Sequence, residues 1–401
     1  MKGKAYNPTW AHHEAIRQAA TRWQRRGLLS ALQLAAIHAA HPLDYYRPNI
    51  FLRITLFVFT LIGAMAGGGM LLLMLSGFLD DSDAVIPFSI LGAGATLFVL
   101  EAAISGSRLY HSGIDNALLY ITLSWLAFLI TYTILEAAPV QYQQSPSLFN
   151  PYITVTLLLV LALLLAATIR YADRLVATVA YLAYLLLVAS VLLQVPAGSV
   201  ALPFALMLAS VAAYGGAKKL TLRSDYLYYK PCIQLVQALC LVSFYMGGNY
   251  YAVREGNALL SDAVVAGQVP FAWLFYFFTA TLPVIYIVVG LRRPNRIWLL
   301  IGLLALGFSV FTFRYYHSVL PPELAATLAG AALVAAMIWV TRYLRVPHHG
   351  LTTAADDDDA TRNLNLESLI VAETATVPQP AAAGFEFGGG SSGGGGADGN
   401  Y

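Results

Sequence analysis

The stretch that decides the fold class is residues 152–169, YITVTLLLVLALLLAATI, which contains no charged side chain. A helix of about 20 apolar residues is long enough to cross the hydrocarbon core of a bilayer. Over the whole chain of 401 residues, 58% are hydrophobic and only 11% are charged. Soluble domains carry about 25% charged residues. The composition therefore excludes a water-soluble globule with a single core and predicts a multi-spanning membrane protein.

Similar apolar stretches occur on both sides of this one. We predict ten membrane-spanning helices, at roughly 54–78, 84–105, 116–136, 152–169, 175–193, 199–216, 232–252, 270–290, 297–313 and 322–341. The predicted fold is an all-α polytopic bundle, with a ten-helix transmembrane domain over residues 50–345.

The positive charges predict the orientation of this bundle. Cytoplasmic loops of membrane proteins are enriched in Lys and Arg. With a cytoplasmic N-terminus and ten spans, 21 of the 23 Lys and Arg residues fall on the cytoplasmic side, and only Arg254 and Arg314 fall outside. We therefore expect a multi-pass protein of a bacterial inner (cytoplasmic) membrane, embedded in the lipid bilayer, with both termini in the cytoplasm.

Residues 1–49 are predicted to form a basic, helical N-terminal cap on the cytoplasmic side. Gly27 is placed to end one short helix, and Ser30 with Gln33 has the pattern of a capping box for the next. Apolar residues such as Leu28 and Leu32 follow the Arg25-Arg26 pair. Two interpretations remain: a helical hairpin at the membrane surface that docks a partner, or, more simply, a cap packed on the bundle.

Residues 346–401 are predicted to be a flexible cytoplasmic tail. An acidic run at 356–359 precedes a glycine-rich end, and such a composition cannot offset the entropy lost on ordering. This tail is a candidate site for a protein partner, with candidate contact residues Phe385, Phe387, Gly388, Gly393 and Tyr401.

A short internal repeat suggests a duplication. The octapeptides that begin at Tyr45 and Tyr228, YYRPNIFL and YYKPCIQL, agree at six of eight positions when Arg and Lys are counted as alike. This agreement is compatible with two parallel four-helix units, spans 1–4 and 7–10. It is equally compatible with the recurrence of basic, aromatic and proline residues at membrane interfaces.

Polar residues inside the predicted spans are rare and are therefore candidate functional residues. Arg53 and Glu101 lie at similar depths in the first two spans, so we expect a structural pair between them, with a proton or cation site at Glu101 as the alternative. Gln234 and Gln237 in the seventh span are candidates for hydrogen bonds between helices.

A second group of candidates is predicted at the outer face. Four residues share a similar predicted depth there: Glu136, Arg314, His317 and Glu323. A histidine at this depth is more often an interfacial residue than a metal ligand. Such a cluster is the one place where the sequence allows an enzyme site facing outward.

No catalytic constellation, metal motif or cofactor fingerprint is evident, so we predict no catalytic residues, no metal and no cofactor. Cys232 and Cys240 lie about 12 Å apart along one helix and cannot form a disulfide. We expect no nucleic-acid partner.

Three segments resemble a group of bacterial multi-spanning membrane proteins to which no activity is assigned: YYRPNIFLRI from Tyr45, SGIDNALLY from Ser112 and FRYYHSVLPPE from Phe313. This resemblance covers most of residues 28–345. The ending FGGGSSGGGGADGNY is similar to the tails of membrane proteins with a TPM domain, although only the tail is shared. A tail that recurs on different proteins implies, by analogy, a common partner.

These patterns favour a non-enzymatic membrane scaffold or accessory subunit that presents its cap and tail to protein partners. A transporter or channel for a small solute is the first alternative, because ten spans and a duplication would suit it. A membrane enzyme acting at the outer face is the second.

Overall fold

The computed structural model describes residues 3–75, 85–143, 147, 149–261, 267–292 and 295–316, with seven single positions between Thr327 and Arg342. Over these residues the structure is helical and contains no strand. Two helices precede the bundle, α1 (Pro8–Arg25) and α2 (Ala31–Ala40). Gly27 has a positive φ of +74° between them. The Ser30 and Gln33 side chains form the predicted capping box at the start of α2.

Nine helices within the described residues are long and apolar enough to cross a membrane. They are α3 (Ile50–Leu75), α4 (Val85–Ser107), α5 (Ile114–Glu136), α7 (Pro151–Tyr171), α8 (Arg174–Leu193), α9 (Gly198–Leu220), α10 (Tyr226–Gly248), α12 (Ala272–Arg292) and α13 (Arg296–Tyr316). Two shorter helices, α6 (Val140–Gln143) and α11 (Tyr250–Leu260), lie between them. The chain is therefore an all-α polytopic membrane protein, as predicted. Most of the predicted tenth span, 322–341, and the whole tail lie outside the described residues.

The seventh span begins earlier than predicted. The sequence places its start at residue 232, after Pro231, whereas α10 begins at Tyr226 and contains Pro231 in its second turn. A proline inside a helix removes one backbone hydrogen bond. α9 and α12 likewise continue through Pro203 and Pro283, so Pro231 does not end α10 either.

The bundle is built from antiparallel neighbours. Helices consecutive in the chain pack in pairs, α4 with α5, α7 with α8, α9 with α10 and α12 with α13. The largest core cluster joins α4, α5, α7, α8 and α10, and it includes Tyr6 and Trp10 from the N-terminal segment. Residues 3–49, which we call the cap, therefore pack on one end of the bundle. We call this the cap end.

α3 lies at the periphery of the described bundle. None of the residues in its most apolar 18-residue window is buried, whereas 39% of the residues in the corresponding window are buried in α8 and in α10. α3 packs mainly against α5. Within the described residues, α3 therefore contributes little to the buried core.

The two octapeptides of the suggested repeat adopt different conformations. Tyr45 to Asn49 are not helical and lead into α3, whereas Tyr228 to Pro231 lie within α10. The repeat therefore does not correspond to the same local structure at its two sites, and the duplication stays a prediction.

Candidate functional site

The turn between α4 and α5 positions a buried polar network. Arg108, His111 and Gly113 in this turn have positive φ values of +48°, +49° and +104°. A Cβ atom at Gly113 would lie 2.2 Å from the backbone oxygen of Arg53. Only glycine allows so close an approach. The contact brings the start of α5 against the first turn of α3, where Arg53 Nη2 lies 3.5 Å from Asn116 Oδ1.

Asp115, in the first turn of α5, is fully buried and bound by four donors. Its Oδ1 accepts hydrogen bonds from the Ser112 backbone nitrogen at 2.8 Å and from Ser112 Oγ at 3.0 Å. Its Oδ2 accepts from the His111 backbone nitrogen at 2.8 Å and from Tyr6 Oη at 2.6 Å. A buried carboxylate is stable only when such donors replace its water. Asp115 therefore fixes the turn and holds Tyr6 at the same time.

Asp173 is the second buried carboxylate of the network. It caps α8, where its Oδ1 accepts from the Val176 backbone nitrogen at 3.0 Å. Its Oδ2 accepts from Asn116 Nδ2 at 2.6 Å, and the Tyr120 hydroxyl donates to both oxygens at 3.0 and 3.1 Å. Asp173 thus links the α7–α8 connection to α5. We call these residues the cap-end network: Tyr6, Arg53, His111, Ser112, Asp115, Asn116, Tyr120 and Asp173.

His111 lies between the two carboxylates. Its Nδ1 is 4.0 Å from Asp173 Oδ2. Burial lowers the pKa of His111 to about 4, against the upward pull of Asp115 and Asp173. The imidazole is therefore neutral near pH 7, and its contact with Asp173 is not an ion pair at that pH.

Three consecutive residues of the cap attach it to three parts of the bundle. The Lys4 ammonium binds Asp225 Oδ2 at 3.0 Å, in the connection between α9 and α10. The Ala5 nitrogen donates to the Arg170 carbonyl oxygen at 2.9 Å, on α7. The Tyr6 hydroxyl reaches Asp115 on α5. The cap is therefore fixed to the bundle rather than tethered by its chain alone.

Two further features hold the cap on the bundle: Tyr6 stays protonated and can donate its hydrogen bond, and Trp10 packs against aromatic rings. Burial, and then the negative charge of Asp115, raise the pKa of Tyr6 well above its ordinary value. The hydroxyl therefore keeps the proton it donates. Trp10 of α1 packs against Tyr45 and Tyr110, with ring centres 5.3 and 5.7 Å apart.

The chemistry of this network is that of an anchor. Asp115 accepts hydrogen bonds from four donors and Asp173 from three, and Tyr6 covers Asp115 from the cap side. Enclosed carboxylates that accept several hydrogen bonds are poor general bases, because the donors stabilise the charged form and surround it in place of a substrate. Their hydrogen bonds rigidify the structure instead.

Glu101 forms an ion pair, but not with the predicted partner. Arg170 Nε binds Glu101 Oε1 at 2.9 Å, and Arg170 Nη2 binds Oε2 at 2.8 Å. The Tyr171 hydroxyl also donates to Oε1. The expected Arg53–Glu101 pair is therefore wrong. The reason is that α3 packs mainly against α5 rather than against α4, whereas α7 brings Arg170 to Glu101.

The two glutamines of α10 do not bridge helices within the described part of the chain. Gln234 is exposed and Gln237 is half-buried. Among the described residues, the hydrogen bonds that α10 makes to its neighbours come from other side chains, such as Tyr229, Cys232 and Ser243.

The predicted outer-face candidates are only partly described. Glu136 is exposed at the last position of α5, and Arg314 lies half-buried in the last turn of α13. His317 and Glu323 lie outside the described residues, as do the tail candidates Phe385, Phe387, Gly388, Gly393 and Tyr401. At this end the Tyr316 hydroxyl donates to Glu255 Oε1 at 2.8 Å, and the Arg254 guanidinium lies 4.6 Å from the Tyr316 ring centre.

A second buried network lies where α10 meets α11. Asn249 is fully buried, and its Nδ2 donates to Tyr245 Oη at 2.9 Å and to Thr312 Oγ1 at 3.0 Å. Thr279 Oγ1 accepts from the Tyr250 nitrogen at 2.9 Å, and Ser309 Oγ donates to the Thr279 carbonyl at 2.7 Å. We call Tyr245, Asn249, Thr279, Ser309 and Thr312 the far-end network. All of its side chains are neutral.

Asp115 and Asp173 were not among the predicted site residues. Each stands at the start of a predicted span, where an acidic residue is usually a helix cap or an interfacial charge. A signal was available, since Ser112-Gly113 precedes Asp115 and only two residues separate α7 from α8. That pattern indicates a tight turn, but not which distant side chains meet there.

The described residues contain no group of three or more His, Cys, Asp or Glu side chains that could hold a metal ion. No protein-family model, curated protein or solved structure matches this chain.

Proposed function

We propose that this protein is a non-enzymatic membrane scaffold or accessory subunit, which displays its N-terminal cap to a protein partner on the cytoplasmic side of a bacterial inner membrane. The observation that carries the proposal is an exposed apolar helix, α2, on a cap that is fixed to the bundle. The glycine-rich tail remains a second candidate contact.

α2 has the features of a docking surface. Its capping box keeps it helical, yet it contains no buried residue and, among the helices of the described residues, packs mainly against α1. Leu32 is 84% exposed and Leu28, just before the helix, is 67% exposed. Apolar surface that soluble parts of a protein leave uncovered usually marks an interaction site.

The surroundings of α2 indicate what kind of partner would fit. The last turn of α1 carries Arg22 and Arg25, and Arg26 follows. An apolar patch beside basic side chains suits a partner with an apolar surface bordered by acidic residues. Because Lys4, Ala5 and Tyr6 are fixed to the bundle, the partner would dock on a preorganised surface and lose less entropy on binding.

The scaffold hypothesis fits the described polar groups better than the two alternatives do. Glu101, the candidate proton site for transport, is held by Arg170 and Tyr171. The buried carboxylates of the cap-end network accept hydrogen bonds from four donors at Asp115 and from three at Asp173. Within the described residues, the only buried side-chain nitrogen or oxygen atoms without a hydrogen-bond partner belong to His38 and His41, which lie in the cap.

A photo-cross-linking experiment in native membranes tests this proposal. A photoreactive amino acid at position 32 should form one discrete cross-linked product with a protein that copurifies at fixed stoichiometry. Leu32→Asp should remove that protein from the purified complex by at least tenfold.

The matched control is Leu222→Asp. Leu222 is 87% exposed in the connection between α9 and α10, at the same end of the bundle but outside the cap. This variant should retain the partner. Cross-links to lipid alone, or equal retention by Leu32→Asp and the parent protein, would contradict the proposal. A version that ends before Gly384 separates the contribution of the tail.

A further inference from the structure

A crevice of about 710 Å³ lies among α7, α8, α9 and α10. Ligand pockets generally have volumes of about 300–1,000 Å³ and apolar walls with a few polar groups. Here the apolar wall includes Leu161 and Leu165 on α7 and Val236 on α10. The crevice therefore has the size and lining of a ligand site.

The crevice exists because small side chains face it. Its walls on α8 and α9 are largely alanine: Ala177, Ala180, Ala212, Ala213 and Ala217. Each of these side chains ends at Cβ, so the space between helices that leucines would fill stays open.

The depth of the crevice corresponds to one leaflet of a bilayer. Its deepest lining residues are Leu161, ten residues before the end of α7, and Tyr184, ten residues after the start of α8. At a rise of 1.5 Å per residue, ten residues span about 15 Å. The hydrocarbon core is about 30 Å thick. The crevice therefore runs from the cap end to about the middle of the bilayer.

Charged groups line the crevice only at its mouth. Arg223 and Asp225 lie there, in the connection between α9 and α10. The Lys4 ammonium binds Asp225, so the charge of this aspartate is balanced. Arg174 begins α8 three residues before Ala177 and so lies on the same face of the helix. Three cations (Lys4, Arg174 and Arg223) and two carboxylates (Asp173 and Asp225) lie at or beside the mouth, which gives it a net charge of +1, and Arg223 is the cation among the lining residues.

We propose that this crevice binds an anionic phospholipid from the leaflet at the cap end, with one acyl chain between the helices and the phosphate at Arg223. An arginine guanidinium binds phosphate oxygens in a bidentate geometry. Basic pockets between transmembrane helices on the cytoplasmic side are known sites for anionic headgroups. The apolar walls give affinity for the chain, and the mouth selects the headgroup. This site is independent of the partner surface on α2.

Native mass spectrometry tests the proposal. The purified full-length protein is titrated with phosphatidylglycerol or with phosphatidylcholine of the same acyl chains. We expect one phosphatidylglycerol bound at least tenfold more tightly than phosphatidylcholine. Arg223→Gln should remove most of this preference, and Arg292→Gln should retain it. Arg292 is an exposed residue that ends α12 at the same end of the bundle and does not line the crevice.

A second pair of variants tests the chain-binding part. Ala212→Leu, at an exposed position of the crevice wall, should weaken the binding of both lipids at least fivefold. Ala95→Leu, the same change at an exposed position of α4, should leave the affinity for both lipids unchanged. If Ala212→Leu does not fold, Ala213→Leu replaces it. Equal binding of the two lipids by the parent protein, or an unchanged preference in Arg223→Gln, would overturn the proposal, as would unchanged lipid binding in the folded crevice variant. Free glycerol phosphate, which lacks acyl chains, should not compete.

Discussion

The cap-end and far-end networks both connect helices through buried hydrogen bonds, but one uses charged side chains and the other neutral ones. Both join several helices through fully buried polar side chains, Asp115 in one and Asn249 in the other. The cap-end network contains two carboxylates and Arg53, whereas the far-end network is built from neutral amide and hydroxyl groups. Charge-assisted hydrogen bonds are stronger but cost more to bury.

The difference corresponds to what each network joins. The far-end network connects α10, α11, α12 and α13, which are neighbours within the bundle. The cap-end network also holds the cap, which lies outside the nine described spanning helices. A segment outside the bundle has less packing to fix it, so directional, charge-assisted bonds do more of that work. The comparison predicts that damage at the cap end releases the cap and that damage at the far end loosens the bundle.

The largest effect is expected for Gly113→Ala. A methyl group there would meet the Arg53 carbonyl at 2.2 Å, in a backbone conformation with φ of +104°. Neither problem is relieved by a side-chain rotation, so we expect a loss of more than about 4 kcal/mol, among the largest that single substitutions cause. The measurement is the yield of monodisperse protein and its melting temperature. Gly94→Ala on α4, where no atom lies within 4 Å of the added methyl group, should be as stable as the parent protein or slightly more so.

Asp115→Asn should release the cap. An amide keeps one acceptor oxygen and places an NH2 donor at the other position, where it faces either Tyr6 Oη and the His111 nitrogen or the Ser112 nitrogen and hydroxyl. The loss of bonds to a charged group costs about 1.5–3 kcal/mol. We expect tryptic cleavage within α1 to become at least tenfold faster. Asp225→Asn, which removes only the partly exposed pair with Lys4, should change that rate less than threefold.

Asn249→Ala should lower the melting temperature of the protein without releasing the cap. It removes the bonds to Tyr245 and Thr312 and the cap of α11. An unpaired buried polar group costs about 1–3 kcal/mol, so the melting temperature should fall while cleavage of α1 stays at the parental rate. Asn257→Ala, on α11 but outside the network, serves as the control. Faster cap cleavage in Asn249→Ala would mean that the two networks are not separate.

The smallest expected effect is a change in pH dependence at His111. The unfolded chain takes up a proton at the ordinary histidine pKa of 6.5, whereas the folded protein does so only at about 4. The unfolded state binds more protons between these values, so His111 makes stability fall as the pH falls from about 6.5 to about 4. His111→Gln should make the melting temperature vary less with pH across this window. Identical pH profiles for the two proteins would refute the neutral, buried state of His111.

The fold class was predictable because it depends on composition and on lengths of apolar sequence. Nine predicted spans correspond to helices, and the pattern around Gly27, Ser30 and Gln33 predicted the two cap helices. α10 begins six residues before the predicted span, because the helix includes the more polar residues 226–231 that precede the apolar stretch.

The candidate site was harder to predict because its members come together only in three dimensions. Tyr6, Asp115 and Asp173 are far apart in the chain, and each alone has an ordinary local explanation. A similar depth would bring Arg53 and Glu101 together only if α3 and α4 packed against each other. In the structure α3 packs mainly against α5, so Arg53 lies beside Asn116, and Arg170 of α7 binds Glu101 instead.

The most direct test of the account is hydrogen–deuterium exchange of α1 and α2 in purified Tyr6→Phe. This change removes one hydroxyl, which binds Asp115, and keeps the ring that packs on Tyr110. The account predicts slow exchange of α1 in the parent protein and at least tenfold faster exchange in the variant, with the spanning helices unchanged. Equal exchange of α1 in both proteins would show that the cap is not held by the cap-end network, and would contradict the central claim.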